Sequence, residues 1–122
     1  MLIADDNVDA AQALGMLLEL YGHEARVVTS GHAALREAEA FRPHAAVLDI
    51  GMPDLDGYAV AQRIRQAPWG KRISLFAATG WGQEKDKRMA EQAGFDAHLT
   101  KPLDAAKLQS LIVAEIERFA SG

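Results

Sequence analysis

The sequence contains no cysteine, which excludes a disulfide framework and any metal site built from thiolates. It also lacks an apolar run that approaches the roughly 20 residues of a membrane-spanning helix. Residues 1–6 already include two aspartates, and they show no positively charged start followed by an apolar segment. We therefore predict no signal peptide. We therefore expect a cytoplasmic protein that makes no membrane contact.

The chain has no excess of positive charge. Its formal net charge is -4 at pH 7, whereas nucleic-acid backbones recruit clustered Lys and Arg, so we expect no nucleic-acid binding by this domain. Hydrophobic residues make up 49% and charged residues 25% of the chain, a composition typical of globular proteins. A length of 122 residues fits one domain over 1–122 and leaves no room for a second.

Short apolar runs alternate with stretches of helical periodicity. The apolar runs lie at 2–4, 25–28, 45–48, 73–78 and 97–99; the helical stretches begin near Asn7 and then cover about 31–41, 58–65, 84–92 and 104–119. In the first helix we place Ala11, Leu14, Leu17 and Leu18 on the buried face. Strands that alternate with helices predict an α/β fold, with a parallel sheet covered by helices on both faces.

Polar residues follow four of the five predicted strands. They are Asp5 and Asp6 after the first, Asp49 after the third, Thr79 and Gly80 after the fourth, and Thr100, Lys101 and Pro102 after the fifth. In open α/β sheets, ligands bind beyond the carboxyl ends of the strands. We therefore expect three carboxylates, a hydroxyl and an ammonium group to meet at one edge of the sheet.

Such a group of side chains suits a hard cation and a phosphoryl group. Three neighbouring carboxylates repel one another, and oxygen ligands without thiolates favour Mg²⁺, Mn²⁺ or Ca²⁺ over zinc. The Asp49 carboxylate can act as a nucleophile toward phosphorus, while Lys101 neutralises phosphoryl oxygens and Thr79 donates a hydrogen bond to one of them. Each residue alone has an ordinary structural explanation, such as helix capping or a turn; their joint placement favours a site.

Four segments of the sequence resemble response-regulator receiver domains of two-component signalling. They lie at 3–7, 47–57, 78–80 and 93–102, in the order that the family shows, and the resemblance covers essentially the whole chain. It implies a flavodoxin-like receiver fold: a single doubly wound, five-stranded parallel sheet of order 2-1-3-4-5 with five helices. The segment 94–104 is similar to receivers attached to hybrid sensor kinases.

The resemblance also implies the metal site and the phosphoacceptor. Asp49 would accept the phosphoryl group from a phosphohistidine of a histidine kinase or phosphotransfer domain. Asp6, Asp49 and the carbonyl of Gly51 would bind Mg²⁺ directly, with Mn²⁺ as a substitute, and Asp5 would assist. The phosphorylated domain would then act on a downstream output domain or protein.

Other residues receive roles by the same resemblance. Thr79 would be the switch hydroxyl and Lys101 would contact the phosphoryl group, with a cis bond to Pro102. His98 stands where many members have a Tyr or Phe that rotates on activation, so it is a second candidate switch residue. Gly51 and Trp81 occupy the two positions beside the phosphorylation site that tune hydrolysis, and we expect Trp81 to act as a partial lid.

Two alternative functions remain open at this stage. A phosphohydrolase with an aspartyl-phosphate intermediate usually needs a second acid soon after the nucleophile, but here Asp49 is followed by Ile50 and Gly51. A pseudo-receiver would bind partners without phosphorylation, against which the complete set of site residues argues. For a receiver we expect self-catalysed phosphorylation and dephosphorylation, without turnover of a separate substrate.

Overall fold

The computed structural model describes residues 1–80 and 84–121. Five strands and five α-helices alternate, with one short 3₁₀ helix at Pro68–Gly70. The strands are β1 (Leu2–Ala4), β2 (Arg26–Val28), β3 (Ala45–Asp49), β4 (Ser74–Thr79) and β5 (Ala97–Thr100). The helices are α1 (Val8–Leu20), α2 (Gly31–Phe41), α3 (Gly57–Gln66), α4 (Glu84–Ala93) and α5 (Ala105–Ser121).

The strands form one parallel sheet in the order β2-β1-β3-β4-β5, which confirms the predicted fold class and strand order. In the register, Asp49 pairs with Ala78 and Thr79 pairs with Thr100. The carboxyl ends of β3, β4 and β5 therefore lie at one edge of the sheet. This edge is where the sequence predicts the site.

Each face of the sheet packs against its own helices. One core cluster joins the even-numbered side of β1 and β3 to α2, α3 and α4; it includes Leu2, Leu48, Val60, Ile64 and Ala90. The other joins the opposite side to α1 and α5; it includes Ile3, Val47, Leu18, Leu108 and Ile112. Because side chains alternate along a strand, Asp5 and Asp49 continue the second face beyond Ile3 and Val47.

Polar side chains cap the N-termini of α1 and α3, and the cap at Asn7 is the predicted one. The side chain of Asn7 accepts a hydrogen bond from the N–H of Ala10, and that of Asp56 accepts one from Ala59. Such caps satisfy backbone donors that the first turn leaves without partners. Directly after the C-terminal end of α4, Gly94 has a φ of +105°, a left-handed conformation that glycine adopts without strain.

The prediction of the buried face of α1 was wrong for one residue. Leu17 is 47% exposed, whereas Ala11, Leu14 and Leu18 are buried as predicted. With 3.6 residues per turn, Leu17 lies about 95° from the centre of the stripe that these three form. Gly15 is buried although it was not predicted to be. Because it has no side chain, α1 can approach the sheet closely at this position.

Candidate functional site

Three acidic side chains converge at the carboxyl edge of the sheet. Asp5, Asp6 and Asp49 each offer a carboxylate oxygen, and these oxygens all lie within 4.8 Å of one another. Asp5 and Asp49 are buried, at 7% and 5% exposure, while Asp6 is exposed. The arrangement has two acids at the base of the site and a third at its rim.

The strand order brings Asp5 and Asp49 together, since β1 and β3 are neighbours. The backbone N–H of Asp5 donates to the carbonyl of Val28 at 3.1 Å, which extends the pairing with β2 by one residue. Its carboxylate accepts a hydrogen bond of 2.9 Å from the N–H of Asn7. The same turn that starts α1 thus fixes the orientation of Asp5.

The loop after β3 holds the Asp49 carboxylate from one side. The N–H of Gly51 donates to Asp49 Oδ1 at 3.0 Å. Gly57, at the start of α3, passes so close that a Cβ there would lie 2.7 Å from the Asp49 carbonyl oxygen. A residue with a side chain at 57 would push this loop away from Asp49, so glycine is needed for the close approach.

Lys101 faces Asp49 from the other side. Its Nζ lies 3.1 Å from Asp49 Oδ2 and 3.4 Å from Asp5 Oδ2. The backbone N–H of Lys101 donates to the carbonyl of Thr79 at 2.7 Å, and the Lys101–Pro102 peptide bond is cis, as the resemblance implies. A single ammonium group therefore contacts both buried carboxylates.

The pKa values of the two buried acids, Asp5 and Asp49, are shifted in opposite directions. Burial, a hydrogen bond with Asp49 and the negative charge of Asp49 together raise the pKa of Asp5, against the opposing effect of the Asn7 N–H. Burial also pushes the pKa of Asp49 upward, but the Gly51 N–H and Lys101 outweigh it and lower that pKa. The ionised form of Asp49, which a nucleophile needs, is therefore favoured.

Lys101 responds to the same pair. Burial alone would lower the pKa of Lys101, but its contacts with Asp49 and Asp5 raise it. The ammonium group is thus held in its charged form by two carboxylates. A positive charge beside Asp49 can compensate the negative charge that a phosphoryl group brings.

The donor set fits a hard divalent cation. All three acidic groups offer oxygen, the ligand that Mg²⁺ prefers. Burial raises the pKa of Asp5 most, and the negative charge of Asp49 adds to it; a cation would relieve that repulsion. Asp5, Asp6 and Asp49 are the residues that would hold the ion. Among the described residues, the group contains no His ligand that would favour a transition metal.

Thr79 lies at the same edge but faces the other side of the sheet. It lies two residues after Ala77 in β4 and so projects to the same face, and Ala77 belongs to the core cluster that packs on α3 and α4. Thr79 is 1% exposed, and its Oγ1 is 2.8 Å from Nε2 of His98 on β5. The structure thus brings the two predicted switch residues into direct contact, which the sequence did not reveal.

The two predicted hydrolysis-tuning positions have different outcomes. A Cβ at Gly51 would lie 3.6 Å from Asp49 Oδ1, an ordinary contact distance, so a side chain could be accommodated beside the carboxylate. Glycine at 51 therefore leaves space next to Asp49 that a side chain would fill. Trp81 lies outside the described residues, and its role as a partial lid stays a prediction.

A contact at the neighbouring loop was missed by sequence reasoning. Asp54 accepts hydrogen bonds of 2.9 and 3.0 Å from the backbone N–H groups of Gly31 and His32 at the start of α2. These bonds lower the pKa of Asp54 to about 2. No local pattern could have identified them, because the bonded residues are 22 and 23 positions apart in the sequence.

Among the described residues, no helix is both long and apolar enough to cross a bilayer.

Comparisons with known proteins agree with this geometry. The family model of the response regulator receiver domain matches residues 1–113. The transcriptional regulatory protein PrrA of Mycobacterium tuberculosis is 35% identical over 122 residues, which is 99% of this chain and 51% of that protein. The chain spans about half the length of this and several other transcriptional regulators that it matches.

Two solved structures have the same fold. The receiver domain of a sensor histidine kinase from Pseudomonas aeruginosa PAO1, crystallised with a magnesium ion coordinated in its active site cleft, is 31% identical; its TM-score is 0.86, with 95% of each chain covered. The receiver domain of a signal transduction histidine kinase from Syntrophus aciditrophicus is 28% identical, with a TM-score of 0.85 and 95% and 88% coverage.

Proposed function

Because the chain belongs to the response regulator receiver domain family, we propose that its Asp49 accepts a phosphoryl group from a phosphohistidine on a histidine kinase or phosphotransfer domain. One observation carries the assignment to this residue. Asp49 Oδ2 lies 3.1 Å from Lys101 Nζ, within a group of three acids whose oxygens lie within 4.8 Å of one another. Nucleophile, counter-charge and oxygen ligands are thus all within reach of one phosphoryl group.

The transfer exchanges one bond for another. A carboxylate oxygen of Asp49 attacks phosphorus, the new P–O bond forms, and the P–N bond of the phosphohistidine breaks with its electron pair returning to the imidazole. The Gly51 N–H holds Asp49 Oδ1 at 3.0 Å and so orients the carboxylate before the attack. Lys101 compensates charge on the phosphoryl oxygens, and Thr79 donates a hydrogen bond to one of them.

Receiver domains hold Mg²⁺ in an acidic pocket, and the oxygen donors here fit that ion. We propose Asp6, Asp49 and the Gly51 carbonyl as direct ligands and Asp5 as an assisting group. When bound, the ion neutralises negative charge between the carboxylates and the phosphoryl oxygens. Mn²⁺ could use the same oxygen ligands.

Phosphorylation would change what the domain binds. A phosphoryl group adds about -1.5 to -2 charge at pH 7, and the contacts that it recruits reorganise the loops around Thr79. The relatives include transcriptional regulators and receiver domains of sensor kinases, so the partner is a downstream output domain or protein of either system. We propose one receiver domain over 1–122, acting in the cytoplasm.

A small phosphodonor tests the assignment. Incubation with acetyl phosphate and Mg²⁺ should place one phosphoryl group on Asp49, located by mass spectrometry of the intact protein and its peptides. Asp49→Asn should abolish the label. Asp56→Asn is the matched control, because Asp56 lies in the same segment and caps α3, a position at which Asn serves equally well.

Two results would contradict the proposal. A label on Ser, Thr or His in the wild-type protein would refute Asp49 as the acceptor. Steady release of inorganic phosphate from a phosphate ester, at many turnovers per chain, would instead indicate a phosphohydrolase.

A further inference from the structure

The loop between β3 and α3, residues 50–56, is attached to the N-terminus of α2. The two oxygens of the Asp54 carboxylate accept hydrogen bonds from the N–H groups of Gly31, at 2.9 Å, and His32, at 3.0 Å. The backbones are also in direct contact, because a Cβ at Gly31 would overlap the Leu55 carbonyl oxygen and lie 2.7 Å from the Leu55 Cβ. The loop therefore rests on the first turn of α2 with both its side chain and its backbone.

The same loop holds the proposed phosphoacceptor. The Gly51 N–H donates to Asp49 Oδ1 at 3.0 Å, and the Gly51 carbonyl is one of the proposed Mg²⁺ ligands. Gly51 is exposed and has no side chain to anchor it, and glycine has more backbone freedom than any other residue. Its position therefore depends on the residues that follow it, which are anchored by the buried Met52 and by Asp54.

We propose that Asp54 is a positioning residue for the phosphorylation site: its bonds to α2 hold the loop in the conformation that places Gly51 beside Asp49, and so strengthen Mg²⁺ binding there. The inference rests on the metal site of the proposed function and adds a residue that acts on it from outside. Asp54 is not itself a ligand, because its carboxylate faces the N–H groups of α2. A negative charge is favoured at a helix N-terminus, which supports the contact.

The coupling between the metal site and α2 has to act in both directions. If the bonds from Asp54 to α2 strengthen Mg²⁺ binding, bound Mg²⁺ strengthens those bonds by the same factor. We expect a factor of about three, because hydrogen bonds of an exposed residue contribute at the low end of the usual range. Occupancy of the metal site thus changes the stability of the first turn of α2.

A Mg²⁺ titration followed by two-dimensional NMR gives the dissociation constant from the shift of the Gly51 amide signal. Asp54→Ala should raise this constant about threefold. Asp54→Asn keeps one oxygen that can accept from one of the two N–H groups, so it should recover part of the loss. Gly31→Ala perturbs the same contact from the helix, since the added methyl group displaces Leu55, and it should raise the constant like Asp54→Ala.

Ser30→Ala is the matched control. It removes the other cap of α2, in which Ser30 Oγ accepts a hydrogen bond from the N–H of Ala33 at 3.1 Å. The change destabilises the same helix but leaves the bonds to Asp54 in place. The dissociation constant for Mg²⁺ should therefore match that of the wild type.

Amide exchange tests the reverse direction in the wild-type protein. Saturating Mg²⁺ should slow the exchange of the Gly31 and His32 N–H groups about threefold, because their acceptor belongs to the loop. The Ala33 N–H is the internal control, since its acceptor is Ser30, and its exchange should not change. Equal slowing at Ala33 would overturn the inference, because Mg²⁺ would then stabilise the whole turn without acting through Asp54.

The outcomes separate this inference from the proposed function. Equal dissociation constants in the wild type, Asp54→Ala and Gly31→Ala would overturn the role of Asp54 and leave the metal site in place. A threefold increase in Ser30→Ala would also overturn it, since any loss of helix stability would then suffice. A wild type that binds no Mg²⁺ would overturn the proposed metal site, and this inference with it. If the amide signals show that Asp54→Ala is unfolded, Asp54→Asn and Gly31→Ala decide the question.

Discussion

The Asp54 carboxylate accepts a hydrogen bond of 2.9 Å from the N–H of Gly31, the first residue of α2. Asp54 belongs to the loop that follows Asp49, so this bond joins that loop to α2, which shares a core cluster with α3. It adds to the cap that the Ser30 side chain supplies to the same helix. A negative charge at a helix N-terminus is also favoured by the helix dipole.

Asp54→Ala should lower the melting temperature by several degrees at pH 7, because the bonded N–H groups of Gly31 and His32 lose their acceptor. The folded state lowers the pKa of Asp54 from 3.8 to about 2, so its stabilisation is complete above about pH 4 and is lost as the pH falls toward 2. Melting curves from pH 7 to 3 should therefore show the difference between mutant and wild type shrinking.

The control for this change is Glu39→Gln, since Glu39 is an exposed acid on the same helix without a capping contact. It should melt like the wild type throughout. An Asp54→Ala difference that stays constant down to pH 3 would contradict the ionised cap.

Mg²⁺ should stabilise the fold, because a cation relieves the repulsion among Asp5, Asp6 and Asp49. At a Mg²⁺ concentration of 100 times Kd, the free energy of unfolding should rise by about 2.7 kcal/mol. Differential scanning calorimetry across a Mg²⁺ titration measures this. Asp6→Asn should weaken the response at each concentration, whereas Asp56→Asn should retain it; an unchanged wild-type melting temperature would count against the metal site.

Asp5→Asn should stabilise the protein without Mg²⁺ and weaken its response to Mg²⁺. The pKa of Asp5 is raised above 3.8 by burial and by Asp49, so the folded protein holds this proton more tightly than the unfolded chain. The contribution of Asp5 to stability therefore decreases as the pH rises above about 4. Asn removes that charge and can still accept the hydrogen bond from Asn7.

Melting in EDTA at pH 4 and pH 8 checks this expectation. The advantage of Asp5→Asn should be larger at pH 8 than at pH 4. A variant less stable than the wild type at pH 8 in EDTA would show that the Asp5 charge is compensated better than its burial indicates.

Arg65→Leu should destabilise the fold by about 3 kcal/mol, the cost expected when a partly buried charged hydrogen-bond network loses one partner. The Arg65 guanidinium donates to the carbonyls of Gly94 at 2.9 Å, Gly70 at 2.9 Å and Ile73 at 2.7 Å, and to Asp96 at 2.9 Å. It thereby ties the end of α3 to the loops before β4 and β5. Urea denaturation measures the loss.

Arg65→Lys is the informative companion variant. An ammonium group is a point charge and cannot reach these acceptors in several directions at once. It should therefore recover only a minor part of the lost stability. Full recovery by Lys would show that the charge matters and the planar set of donors does not.

Much of the site could be predicted from the chain because its residues lie next to regular elements. Asp5 and Asp6 come after an apolar run, and Asp49 ends another, so the rule that parallel strands present ligands at their carboxyl ends placed them at one edge. Asn7 as the start of α1 followed from its capping chemistry. The prediction that Leu17 is buried was wrong. Periodicity gives the direction of the apolar stripe on a helix but not its width, which depends on how closely α1 approaches the sheet.

By itself, the sequence determined the order of strands and helices, the edge that carries the site, and Asp49 as the candidate nucleophile, since all of these follow from local pattern and chain order. Only the tertiary structure decided that Lys101 contacts two carboxylates at once, that Asp54 caps α2, and that Thr79 bonds to His98. These contacts join side chains from separate elements, and their geometry depends on sheet register and helix packing, which no local pattern encodes.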